Sequence, residues 1–413
     1  SSNGTANFAC GGHLTKKGCS RKSVSENAVN DEVLRVIRVH MNVYVDSMEM
    51  LKRMNRKAEI MEGGMRYPKS LPAGGMIGFL APSFGCAVEP YRTAFQQGLA
   101  HFEKMGYRTL TGPNCYCDRG VGISNTPEMC GAEVMEMFSS HADCLISCGG
   151  GELMCEILPY VDFERLARME PKWFMGYSDN TNLTFTLATL ADTASVYGPC
   201  ASAFGMAPLH ESVEDAFGII TGRVRTVKSY GTWEKESLKC EENPCVPYNL
   251  TEPLKIRRFL GKKELDQDVG TSKELQFSGR ILGGCMDCLV NLLGTCFDRT
   301  VDFAEKYRED GIIWFLESCD LNVFGIRRAM WQMEEAGWFR HVKGFLIGRP
   351  ANGEPMMNLN QYQAVLQTAG RKNVPVIMDV DLGHRPPMMP LVVGSLAKVT
   401  AAENSIRVEM ASM

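Results

Sequence analysis

The chain has 413 residues, 45% of them hydrophobic and 22% charged, with a formal net charge of −4 at pH 7. That length favours two core-forming units over one, and the composition is that of a folded globular protein rather than a disordered or fibrous one. The slight acidic balance offers no basic stripe for a phosphate backbone, which argues against nucleic acid as a partner. Nor does any apolar run reach the length needed to span a bilayer.

Over residues 1–70 Lys and Arg outnumber Asp and Glu, and the beginning is rich in Ser, Gly, Asn and Lys. The pattern predicts a flexible start and then one long helix, about residues 30–60, with Val33, Ile37 and Met41 on one face and Met48, Leu51 and Met54 further along. A Met-rich stripe of this kind is expected to pack against the body or a partner rather than hold a cofactor. The polar start lacks the apolar core of a signal peptide, so a cytoplasmic location is expected.

Short apolar runs then alternate with amphipathic segments: MIGFLAP (76–82), a helix carrying Phe95, Leu99 and Phe102, YRTLTG (107–112), DCLISC (143–148) and WFMG (173–176). Apolar strands separated by helices predict an α/β unit over residues 71–205, a parallel sheet flanked by helices. Ligands of such sheets bind beyond the carboxyl ends of the strands, where SCGGGE (147–152) and GYSDN (176–180) both fall. Residues 206–275 are more polar and read as a connecting segment that folds over this crevice. A second, strand-rich mixed α/β domain is expected over residues 276–413. It takes in GRILGGCMDCLVNLLGT (279–295), GIIWFLESCD (311–320), a helix around IRRAMWQMEEAGWF (326–339), GFLIGRP (344–350) and VPVIMDVDLGHRPPMMPLVVG (374–394).

The 16 cysteines are scattered, many within apolar runs, as expected of reduced, buried thiols rather than a disulfide framework. Cys285 and Cys288 make the CxxC of GGCMDC, with no second pair at zinc-ribbon spacing and no histidine nearby in sequence, so no metal site is expected there. Ser178 stands between an apolar strand and a helix start. Its hydroxyl could cap that helix or serve as a nucleophile raised on a sharp strand-to-helix turn.

A nucleophilic serine needs a positioned base, most often histidine. Of seven histidines, His13 lies in the flexible start, His40 in the long helix, and His101, His141, His210 and His341 in polar contexts. His384 follows an apolar strand, in DVDLGHRPP, where Gly383 and the prolines fix a turn. Glu317 ends the apolar run GIIWFLE and would be costly to bury without a partner, but Asp320, Asp379 and Asp381 compete with it as the carboxylate that orients the imidazole.

Taken together, APS near the start, the glycine pair before LPYVDFERL, PKWFMGYSDNTNLTF, YGP (197–199), GGCMDCLVNLLGT, FLES, GWFRHVKGFLIGRP and DVDLGHRPPMMPLVVGSLAKV resemble the LD-carboxypeptidase family of serine peptidases, which includes the microcin C immunity peptidases. The resemblance runs over residues 75–402 in order. It implies Ser178 as nucleophile, Glu317 as the group orienting the base and His384 as that base. It also implies an oxyanion hole made by the N–H of Asp179 and that of Gly150 or Gly151. The implied activity is cleavage before a terminal D-amino acid in a murein tetrapeptide during cell-wall recycling, by a homodimer acting on a small peptide with no metal or organic cofactor.

Three positions depart from the expected pattern. Asn180 stands where G-x-S-x-G would have its second glycine, so an α/β-hydrolase fold is not implied. Glu152, after the glycine pair, and Arg385, after the histidine, both flank the expected pocket and bear on the substrate. The rival substrate is a microcin-like peptidyl-nucleotide, with Trp233 available to stack on a base. The rival class is a noncatalytic ligand-binding homologue.

Overall fold

Runs such as MIGFL and CLIS have no polar face to offer water, so each can be a strand only if both its faces are covered, the situation of a parallel sheet between helices. The computed structural model, which describes residues 63–265 and 274–411, shows this arrangement. Strands β1 (Met76–Leu80), β2 (Arg108–Thr111), β3 (Cys144–Ser147), β4 (Trp173–Gly176) and β5 (Ser195–Tyr197) lie in the order β5-β4-β3-β1-β2, all parallel. The long helix expected over residues 30–60 lies outside the described residues.

The second sheet holds nine strands, β6 (Thr226–Lys228), β9 (Arg257–Leu260), β10 (Lys263–Glu264), β11 (Leu275–Cys285), β12 (Ile312–Glu317), β13 (Val342–Gly348), β14 (Pro375–Val380), β16 (Leu396–Ala402) and β17 (Ser405–Met410). Its centre, β11 to β14, is parallel and its flanks are antiparallel. Strands β7 (Thr232–Glu234) and β8 (Leu250–Pro253) form a separate antiparallel pair. Residues 206–275 thus do more than connect: they supply three strands of the second sheet as well as this pair.

Two features lock the sheets together within one compact unit, Ile60–Met413. Strand β15 (Leu391–Val393), far along the chain, crosses to the first sheet and pairs antiparallel with β5, setting Leu391 beside Tyr197. The helix Thr181–Ala191 is buried on nearly all sides, and its Phe185 ring lies 6.2 Å from that of Trp314 on β12 and 5.4 Å from that of Trp338. A helix clothed all round in Leu, Ala, Phe and Thr belongs in a core rather than at a surface. Its first residue, Thr181, accepts a hydrogen bond from the Cys285 N–H at the end of β11 (3.0 Å). Gly284 makes room for that contact, since a Cβ there would lie 2.5 Å from Thr181 Cγ2.

The body begins earlier than residue 71. Arg66 forms a β-bridge with Thr193, and its guanidinium donates to the carbonyls of Met169 (2.8 Å) and Leu166 (3.0 Å).

Candidate active site

At the end of β4 the backbone turns sharply. Ser178 has φ +63°, a left-handed conformation that costs a non-glycine residue on the order of 1–3 kcal/mol and persists only where its surroundings impose it. Here they do. Asn180 Nδ2 donates to the carbonyls of Gly149 (2.8 Å) and Tyr177 (3.1 Å), tying the turn to the neighbouring glycine loop. Asp179 carries its carboxylate into the core, where it accepts from Ser83 Oγ (2.5 Å), Met154 N–H (2.9 Å) and Asn182 Nδ2 (3.0 Å). Burial pushes the Asp179 carboxyl up to about 6, against the pull of those three hydrogen bonds.

The Ser178 hydroxyl does not cap the helix it precedes. It lies 2.8 Å from His384 Nε2, and His384 Nδ1 lies 2.9 Å from Glu317 Oε2. With Glu317 ionised, Nδ1–H donates to the carboxylate and Nε2 is left to accept from Ser178. Chain segments 206 residues apart meet at the first contact and 67 apart at the second. Glu317 is fully buried at the end of β12, while the His384 side chain keeps 16% exposure. Gly383, with φ +88°, carries the turn over Glu317 where a Cβ would lie 2.3 Å from Oε2, so any larger residue would strike the carboxylate.

Two of the three competing carboxylates are engaged elsewhere, and the third is exposed. Asp379 accepts from Gln361 Nε2 (2.8 Å) and Tyr362 OH (2.7 Å), and Asp381 from Arg349 Nη2 (2.5 Å) and the Tyr230 N–H (2.7 Å). Asp320 is exposed, its N–H donating to Asp287 (2.9 Å). Among the remaining histidines, His210 accepts from the Ser212 N–H at a helix start and His341 pairs with Glu305.

Tyr197, quoted above only within YGP, joins both halves of the site. Its buried hydroxyl donates to Glu317 Oε1 (2.5 Å) and accepts from the Ser178 N–H (3.2 Å). No local pattern marks a tyrosine on a three-residue strand for this, because both partners come from other segments of the chain. Tyr177 lines the other side of the imidazole, ring centroids 5.3 Å apart.

Burial alone would lower the His384 pKa, but the Glu317 carboxylate, with help from Cys319, overrides it and holds the pKa above the ordinary histidine value. Burial likewise pushes Glu317 up, and His384, Tyr197 and Cys285 pull it down further, leaving the carboxyl below its usual range.

Gly150 lies against the serine: a Cβ there would stand 3.1 Å from both Ser178 Cβ and Oγ. Gly151 packs the other way, its Cβ position 2.1 Å from Ser83 Oγ. Glu152 is exposed beside this loop. Arg385 turns away from the serine; its guanidinium donates to the carbonyls of Lys235 and Ala351 (2.8 Å to the latter), clamping the segment before β8 to the loop after β13. It also lines a cavity of about 310 Å³ shared with Trp233, Arg349 and Asp379. The described cysteines are all free thiols, and no helix among the described residues is long and apolar enough to cross a membrane.

An alcohol, an imidazole and a buried carboxylate in one hydrogen-bonded line can pass a proton from the alcohol to the ring, chemistry proper to a hydrolase. Residues 77–198 match the LD-carboxypeptidase N-terminal domain and residues 278–399 the LD-carboxypeptidase C-terminal domain, so the chain belongs to the LD-carboxypeptidase family and is a peptidase. A probable murein peptide carboxypeptidase of Bacillus subtilis is 25% identical over 352 residues, 83% of this chain and 94% of that protein. A putative carboxypeptidase of Vibrio cholerae is 23% identical, covering 84% of this chain and 98% of the relative. The microcin C7 self-immunity protein MccF of Escherichia coli is 22% identical over 78% of this chain and 90% of its own length. Among solved structures, MccF in complex with glutamyl sulfamoyl guanosine superposes with a TM-score of 0.67 at 20% identity, covering 84% of this chain and 99% of that one. An MccF-like protein of Bacillus anthracis gives 0.68 at 19%, covering 84% of this chain and all of its own.

Proposed function

We propose that the protein is a serine carboxypeptidase that hydrolyses the amide bond between an L-centre and a terminal D-amino acid in a murein tetrapeptide. The observation that carries this reading is the unbroken hydrogen-bonded line from Ser178 through His384 to Glu317. Ser178 Oγ attacks the amide carbonyl while His384 Nε2 takes its proton, and Glu317 stabilises the imidazolium. The Asp179 and Gly150 N–H groups stabilise the oxyanion; a donor of this kind is typically worth about 3–4 kcal/mol of barrier. His384 then protonates the departing amine and the D-amino acid leaves. Water, deprotonated by the same ring, frees Ser178 from the acyl-enzyme.

The murein substrate is supported by the name of the Bacillus subtilis relative. The same reading takes the enzyme to be cytoplasmic and homodimeric, working without a metal or organic cofactor. A second substrate class, a peptidyl-nucleotide, is favoured by one observation: Trp233 lines the cavity beside Arg385, with the Arg349 guanidinium 5.0 Å from its ring centroid.

The test is hydrolysis of an L,D-linked tetrapeptide and of an aminoacyl-sulfamoyl nucleoside by wild type and Ser178→Ala. Wild type is expected to release the D-amino acid and the variant to be inert; equal rates would remove Ser178 as nucleophile. If wild type takes a serine-directed acylating probe yet cleaves only the nucleoside analogue, the second substrate class stands instead. Binding of the tetrapeptide without turnover or labelling would mark a noncatalytic homologue.

A further inference from the structure

Cys285 and Cys288 have no histidine near them in sequence, yet the fold supplies one. The register of β11 on β12 sets Cys285 beside Glu317, and the turn after β14 lays His384 on the same carboxylate. One ligand atom from each of Cys285, Glu317 and His384 lies within 4.8 Å of the others. Cys288, three residues on, donates its thiol to the Ser178 carbonyl (3.6 Å), so it too lies beside this cluster. Thiolate, imidazole and carboxylate are zinc donors, and a tetrahedral ion holding them at about 2.0–2.3 Å needs donor atoms roughly 3.5 Å apart. His384 Nδ1 and Glu317 Oε2, 2.9 Å apart, reach that spacing by opening slightly, and the Cys285 sulfur, within 4.8 Å of its partners, by closing in.

We propose that Cys285, Glu317 and His384 form an inhibitory site for a thiophilic divalent cation such as Zn²⁺, with Cys288 placed to supply a fourth donor. The ion takes Cys285 as thiolate, and the thiol proton leaves to buffer. It also takes the lone pair of His384 Nδ1, so the proton that neutral imidazole carried on Nδ1 resides on Nε2. A ring protonated on Nε2 donates to Ser178 and cannot accept its proton. Inhibition follows without the ion touching the serine. Cys285 and Glu317 are buried and His384 alone keeps some exposure, so the ion enters past the imidazole and its effect sets in slowly.

Inhibition rests on the serine-peptidase reading, but binding does not, and the two are measured apart. For binding, full-length Ser178→Ala is titrated with Cd²⁺ and the ultraviolet thiolate-to-metal charge-transfer band is followed. The exposed thiols Cys240 and Cys296 contribute to that band in every variant, so the quantity read is the increment lost on adding Cys285→Ser or, separately, His384→Gln. Both are expected to remove the same increment, one equivalent of Cd²⁺. The histidine variant keeps the result decisive should the cysteine variant fold poorly. An unchanged band in both would overturn the site.

For inhibition, wild type is preincubated with Zn²⁺ and labelled with a serine-directed acylating probe. Labelling is expected to fall slowly, to return on adding a chelator, and to need at least tenfold more Zn²⁺ in Cys285→Ser. Equal sensitivity of wild type and Cys285→Ser would place the inhibition elsewhere. If Ser178 takes no probe even without metal, the serine-peptidase reading fails, while the Cd²⁺ increment still decides the site.

Discussion

The turn carrying Ser178 and the pair formed by Glu317 and His384 reach one point by different means. The serine is held by a backbone turn with many supports: β4 ends at Gly176, Ser178 takes a left-handed φ, Asn180 ties the turn to Gly149, Asp179 reaches Ser83 and Met154, and the helix from Thr181 anchors it. The base and acid have little local support. Glu317 is a charge at the end of a wholly buried strand, kept ionised by His384 and Tyr197, which arrive from other parts of the chain. A turn with many supports tolerates the loss of one. A buried charge does not, because removing any partner leaves the others desolvated and unpaired.

Removing the proposed nucleophile gives the largest expected effect. Ser178→Ala should lower kcat by about 10⁴- to 10⁶-fold with little change in Tm, because the alanine loses a hydroxyl and no buried pairing. A large fall in Tm would show that the Ser178 hydroxyl itself supports the turn.

Glu317→Gln attacks the other region and should cost about 10⁴-fold in kcat through loss of the correct tautomer. It also carries a pH signature. The proposed mechanism needs unprotonated His384, whose pKa stands above the ordinary 6.5 because of the carboxylate. Wild-type kcat/KM should therefore rise with pH through that raised value. Removing the negative charge takes away the raising influence, so the rising limb of the Gln variant moves to lower pH while its ceiling drops. An unmoved limb would mean that another group sets it.

Tyr197→Phe should have the smallest effect, since it keeps the ring and deletes one oxygen shared between the two regions. Loss of its bonds to Glu317 and to the Ser178 N–H should lower stability by about 1–3 kcal/mol and kcat by about 10-fold to 100-fold, read by thermal unfolding and steady-state kinetics. A fall in kcat with no change in stability would place Tyr197 wholly on the chemical side.

Period and composition made the parallel strands of the first sheet legible, since WFMG and CLIS have no polar face and are followed by helices. The crevice followed from strand direction. By contrast, the antiparallel return of β15 to the first sheet was not legible: LVV in PLVVG pairs as well with any open edge, and nothing local names β5 as the partner. Likewise, the polar character of residues 206–275 reads as a linker because edge strands alternate and carry charge, as β8 and β10 do.

What the sequence by itself determined is a set of local geometries: buried strands, a Ser at a strand-to-helix turn, and a His after a strand held in place by glycine and prolines. Four carboxylates remained equivalent in one dimension. Only the tertiary structure paired Glu317 with His384, recruited Tyr197, and brought Cys285 to both. Such contacts join segments far apart in the chain, and they form only where strand register and helix packing bring side chains within a few ångströms. Neighbouring residues specify a turn, but they do not specify which buried charge will meet which partner.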